Sequence, residues 1–199
     1  MTDHMQAIRD DLAFMREMTV SDEAAAARKA GAILTTAGVV FAGASIEAWA
    51  ASASLAPPWT MAWVWPGATA IFLGALVLIL SRTQKAQGVR DRTAGMAWTG
   101  IGWAIFAIML GFAAASFQLH SSALFAGSPT VILALYGAGW TVAATVSGRR
   151  WMAGVALGGY LGAVAIGFLV TNPLIFLVYA AALLLLTTAP GVVLLRRKD

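Results

Sequence analysis

The sequence predicts an all-α polytopic membrane protein: six transmembrane helices running as three up-down hairpins, with an N-terminal amphipathic helix outside them. Three observations predict it. Of the 199 residues, 60% are hydrophobic and 11% charged, against about 25% charged in soluble domains. Six apolar runs, at 31–51, 59–80, 94–117, 129–147, 151–170 and 173–195, each approach the roughly 20 residues that a helix needs to cross about 30 Å of hydrocarbon. The 13 Lys and Arg residues fall only before the first run, between the second and third, between the fourth and fifth, and after the sixth. A transmembrane barrel would require short segments alternating apolar and polar residues, whereas these runs are apolar on every side.

Residues 1–20 form the first element. A helix over 3–18 places Met5, Ile8, Leu12 and Met15 on one stripe, with Asp3, Asp10, Asp11 and Glu17 largely away from it. Arg9 and Arg16 flank that stripe, but two basic against four acidic side chains leave a balance of −2, which weakens adhesion to an anionic leaflet. The stripe is therefore expected to dock on protein, either the cytoplasmic face of the bundle or a cytoplasmic partner. Thr19 and Ser21 offer N-caps, and Asp22 and Glu23 suit the first turn of a new helix, so a break is expected there, with residues 21–199 forming the transmembrane domain. The first span enters the bilayer near Gly31, after Arg28 and Lys29. These two residues, the apolar stretch and Ala48-Trp49-Ala50 also mimic a cleavable signal peptide, but the 27 residues before Arg28 are long for its basic leader.

Each hairpin opens with a basic residue closely followed by Ala-Gly, at Gly31, Gly95 and Gly154, and each returning helix carries a proline near its start, at Pro66, Pro129 and Pro173. The Gly intervals of 64 and 59 residues suggest a three-fold repeat, although basic and small residues are common at such helix ends. Ser128 and Asn172 precede two of the prolines as caps. The fifth span carries Gly154, Gly158 and Gly162 at four-residue spacing, a smooth stripe that admits a neighbouring helix of this chain or of a second copy; a homo-oligomer is compatible with it. Trp59, Trp63, Trp65, Trp98 and Trp151 lie near span ends, where aromatic anchors belong. Pro190 should kink the sixth span, with Thr187 or Thr188 helping to satisfy the freed backbone.

Orientation follows from the basic residues. Connections 52–58, 118–128 and 171–172 contain no Lys or Arg, so the positive-inside rule puts both termini in the cytoplasm. The net charge of +4 records topology; the basic loops are short and scattered, unlike a nucleic-acid surface.

Candidate chemistry is sparse. His4 and His120 lie on opposite sides of the membrane, the chain has no cysteine, and no phosphate loop, metal motif or nucleophile-base pair occurs. No cofactor, metal or catalytic residue is expected, and no enzyme. Glu47 is the one ionisable residue inside a span, which makes it a binding candidate. The helix wheel groups it with Thr36, Val40, Gly43, Ala44, Ala51 and Ser54 on a small face, opposite Leu34, Phe41 and Trp49. That face is expected to pack inward or to line an outward-opening cavity, with Gln118 and His120 as candidate partners on the same side. The plain alternative is a solvated carboxylate near the outer surface.

Asp11-Leu12-Ala13-Phe14-Met15-Arg16, followed by a helix break and six spans, resembles a group of small uncharacterised bacterial inner-membrane proteins associated with neighbouring winged-helix regulators. The resemblance implies a bacterial cytoplasmic (inner) membrane, a multi-pass chain and a regulatory role; it assigns no site residue. Two functions are then expected. The first is a non-enzymatic sensor or tether engaging a cytoplasmic regulatory partner through the N-terminal helix. The alternative is a small transporter or permease-like protein using Glu47 in an outward-facing cavity, for which a continuous polar path from Glu47 toward the midplane would be the mark.

Overall fold

The structure is a computed structural model; it describes the backbone of residues 2–82, 89–121 and 123–196, and the side chains of residues 24–82, 95–121 and 124–196. Among the described residues every regular element is helical: α1 Thr2–Ser52, α2 Thr60–Arg82, α3 Val89–Leu119, the single turn α4 Ala123–Ala126, α5 Ser128–Ser147, α6 Arg150–Gly167, α7 Ile175–Leu183 and α8 Ala189–Leu195, the last two joined by a π-helical turn Leu184–Thr188. Five stretches are long and apolar enough to cross a membrane: Ala24–Ser52, Thr60–Arg82, Gly95–Leu119, Leu124–Ser147 and Ile175–Leu195. The sixth, α6, has 18 residues and spans about 27 Å at 1.5 Å per residue. It ends at Gly167, and Phe168 to Val170, expected to continue it, form the turn to α7.

The expected break at Thr19 to Ser21 is absent. One helix of 51 residues runs from Thr2 to Ser52, about 76 Å long. No Gly or Pro occurs between residues 2 and 30, and Ala24 to Ala27 are strong helix formers. Hydroxyl residues start helices well but do not stop a backbone ladder that nothing else interrupts.

Packing is uneven. The densest contacts join α5 to α6 and α1 to the last span; α2 packs on α1, and α3 mainly on α5. The α5–α6 crossing is close because Gly137 faces Gly159: a Cβ at Gly159 would stand 2.9 Å from Gly137 Cα and 3.2 Å from the Leu133 carbonyl oxygen. Backbones approach this closely in membranes where small residues meet. One core cluster lies at this level, with Leu133, Ile166, Ile175, Tyr179, Leu183 and Ala42 buried together; a second gathers Leu34, Trp140, Met152, Ala156 and Leu194. The peripheral helices are scarcely covered. Ala68 is the buried residue of α2, and no residue in the most apolar window of α3 is buried.

Pro190 widens the last span by a π turn in place of a simple proline kink. Proline has no N–H, so the carbonyl four residues back, Leu186, loses its normal donor. The helix widens by one π turn, in which the Ala189 N–H reaches the Leu184 carbonyl, five residues back. The Leu186 carbonyl then accepts the indole N–H of Trp140 at 2.9 Å. Thr187 and Thr188, expected to take that role, keep buried hydroxyls without a hydrogen-bond partner. A buried carbonyl left unpaired costs about 1–3 kcal/mol, so the Trp140 contact supports the whole segment.

Candidate functional site

Glu47 is exposed on α1. The packing face of α1 includes Leu34, Ala37, Gly38, Ala42, Ala44, Ser45 and Ala48, so Ala44 lies inside as the wheel reading has it, and Leu34 lies inside contrary to it. Gly43, expected on the inner face with Glu47, is exposed, and a Cβ there would meet nothing within 4 Å. Val39 and Ile46 share this outer side, 53% and 46% exposed. The error has a physical source: α1 carries small residues on two sides, and a wheel cannot tell which side meets a partner lying 150 residues away in sequence. Depth also changes the reading of Glu47. Arg28 and Glu47 are 19 residues apart, or about 28 Å along a helix, close to the thickness of the hydrocarbon core. With Arg28 at one interface, Glu47 reaches the other, where water solvates a carboxylate.

Gln118 and His120 are both exposed. His120 takes a left-handed backbone conformation, φ 51°, at the turn that ends α3, with its Nδ1 3.2 Å from the Gln118 carbonyl. Among the described residues no hydrogen bond or ion pair links either of them to Glu47. Met5, Ile8, Leu12 and Met15 lie on the helical backbone of α1, and their side chains fall outside the described residues. No group of three or more His, Asp or Glu capable of holding a metal occurs among the described residues.

The glycine stripe of α6 is offset from the true contact. Gly154 is exposed, with open space around it; Gly158 faces the Leu186 side chain, and Gly162 faces the Leu133 and Leu186 side chains. The helix-to-helix approach runs one position later, through Met152, Ala156, Gly159, Ala163 and Ile166.

The closest helix contact involving α1 was not expected. Gly31, Thr35 and Gly38 interlock with Thr188, Gly191 and Leu195 of the last span. A Cβ on Gly191 would stand 2.5 Å from Thr35 Oγ1, 2.8 Å from its amide nitrogen and 2.9 Å from the Gly31 carbonyl oxygen; a Cβ on Gly31 would stand 2.6 Å from the Gly191 carbonyl oxygen. On the other side of the crossing Thr188 Oγ1 and the Thr188 amide crowd Gly38. The hydroxyls of Thr35, Thr187 and Thr188 are all buried here without a partner. A sequence signal existed, because Gly31, Thr35 and Gly38 follow the spacing of one helix face; what it lacked was the partner, Thr188 with Gly191 just beyond Pro190.

This arrangement offers buried hydroxyls and backbone, with no nucleophile beside a base among the described residues. Mechanically, it ties the start of the first span to the end of the last. No protein-family model matches the chain, and comparison with curated proteins and with solved structures finds none similar to it.

Proposed function

We propose that the chain is a six-span, multi-pass protein of a bacterial cytoplasmic membrane, with both termini in the cytoplasm, and that it works without enzymatic chemistry as a sensor or tether. Residues 1–23 engage a cytoplasmic regulatory partner, and the bilayer is the other side of the link. The observation that carries this reading is the continuity of α1 from Thr2 to Ser52. A helix without a hinge transmits rotation or tilt of its membrane half to its cytoplasmic half, and the Gly31–Gly191 crossing makes the last span move with it. The basic residues support the orientation: all 13 fall in alternate connections or beyond the outermost spans.

A permease reading needs Glu47 on a water-filled path through the bundle. The exposure of Glu47 on the outer side of α1 weighs against it.

Deleting residues 1–18 should leave insertion and membrane level unchanged, because the six spans carry their own signals. Recovery of cross-linked cytoplasmic partners should fall. Replacing Thr19 and Ser21 with proline should uncouple in the same way without removing any candidate docking side chain. Undiminished partner recovery in the truncated protein would remove the N-terminal helix from the functional account.

A further inference from the structure

We infer that the α5–α6 hairpin carries a site for one acidic phospholipid, its acyl chain in a lateral groove and its phosphate at Arg150. The groove has a volume of about 260 Å³ and is lined by Thr141, Ala144, Thr145, Ala153, Ala156, Leu157 and Tyr160. Small side chains on both walls make the recess, and Leu157 and Tyr160, 58% and 41% exposed, form its raised edge. Its hydroxyls are already occupied as donors. Thr141 donates to the Gly137 carbonyl and Thr145 to the Thr141 carbonyl, each at 2.9 Å, and the Tyr160 hydroxyl lies 3.2 Å from Thr141 Oγ1. Such a wall accepts a hydrocarbon chain without leaving a hydroxyl donor unpaired.

Charge identifies the occupant. Arg150 is exposed and stands one turn before Ala153 on the helix face that carries the groove residues Ala153, Leu157 and Tyr160. Helical side chains lean toward the helix N-terminus, so Arg150 reaches away from the groove mouth to the headgroup level, with the groove above it. The first turn of α6 contains no acidic residue, so the positive end of the helix favours an anion beside Arg150. Residues 92–198 contain no Asp or Glu at all. A zwitterionic lipid would fill the groove equally well but would bring its own ammonium to a cationic rim; a lipid with net negative charge matches both halves of the site. Basic pockets between spans on one membrane face recognise such headgroups.

The test uses the purified full chain in mild detergent, titrated with phosphatidylglycerol or phosphatidylcholine of identical acyl chains and read by native mass spectrometry. Wild-type protein should retain phosphatidylglycerol preferentially. Arg150→Gln should reduce that retention about five-fold, the equivalent of one basic contact at a headgroup, and leave phosphatidylcholine retention unchanged; Arg150→Lys should keep most of the preference. Ala153→Phe, which fills the groove from an exposed position, should reduce retention of both lipids. Unaltered Trp fluorescence and a monodisperse elution profile identify folded variants, and the Lys and Phe variants each read the site independently should the Gln variant not fold. Equal retention of the two lipids by the wild type, or an undiminished preference in Arg150→Gln, would overturn the inference. Displacement of the lipid by millimolar inorganic phosphate alone would also overturn it, since it would make the site one for a free anion.

Discussion

Pro190 removes one hydrogen-bond donor from the interior of the last span, and Trp140, 46 residues away, returns one to the Leu186 carbonyl. This pairing is open to a double-mutant cycle. Trp140→Phe keeps an aromatic ring but loses the N–H and part of the indole volume, and should cost about 1 kcal/mol for the unpaired carbonyl plus a packing component in denaturant unfolding. In a Pro190→Ala background the backbone N–H at 190 can serve the same carbonyl, so the cost of Trp140→Phe should shrink toward its packing component; an equal cost in both backgrounds would show that the indole bond is not what matters. Trp140 also explains the neighbouring aromatics. Trp98 meets it edge-on with ring centres 5.5 Å apart, and Trp151 is tilted against it at 5.9 Å, so two residues expected to be membrane anchors instead flank a buried indole. Glu47 is the contrasting case. On an exposed position at the far end of α1, Glu47→Gln should change stability by less than about 0.5 kcal/mol and leave membrane levels unchanged. A changed solute flux in that variant would restore the permease reading.

At the scale of elements, the glycines divide by what surrounds them. A Cβ on Gly191 would come within 3 Å of α1 backbone, which cannot move aside, whereas a Cβ on Gly43 or Gly154 would meet nothing within 4 Å. Gly191→Ala should therefore destabilise by about 1–3 kcal/mol, and Gly159→Ala, which would press on Gly137, by a similar amount. Gly43→Ala and Gly154→Ala should be neutral or slightly stabilising through helix propensity. Thermal melts of the four variants give the comparison, and a destabilised Gly154→Ala would return that residue to the packing face. Of the stripe Gly154, Gly158, Gly162, the last two face side chains of neighbouring helices and Gly154 faces open space. Glycines at four-residue spacing announce a smooth helix face, but α6 is smooth on more than one side, and its closest backbone approach is set by Gly137 on α5 meeting Gly159. The continuity of α1 has the same origin: Thr19 and Ser21 can cap a helix or sit within one, and local sequence does not choose between them.

For the whole molecule, the absence of cysteine makes single-cysteine labelling a direct reading of topology. A cysteine at His120 should react with an impermeant thiol reagent in intact cells, and one at Lys85 should react only after the membrane is opened. The reverse pattern would invert the orientation and move the N-terminal half of α1 outside the cell. Uneven cover is the second feature at this scale. The α1 helix, α5, α6 and the last span pack around the buried clusters, while α2 and α3 contribute little buried surface. In a bilayer this is tolerable, because lipid is as apolar as the residues it covers and gives helices no hydrophobic reason to close up. Stability is accordingly concentrated where backbones touch, at Gly137 with Gly159 and at Gly31 with Gly191.

The helical class, the near positions of the spans and the asymmetric placement of the basic residues follow from the sequence by itself, because each depends on the free energy of a segment against its solvent: about 20 apolar residues must leave water together, and each basic residue must stay near it. Which face of a span turns inward is a different quantity. Inside hydrocarbon the small and apolar residues on either face of Ala24–Ser52 are comparably soluble, so Gly43 could be assigned inward as readily as Leu34. Only the tertiary structure decided it, by bringing Gly191 and Thr188 against Gly31, Thr35 and Gly38, because close contact between backbones is a property of two helices together, and neither carries the other's surface in its own sequence.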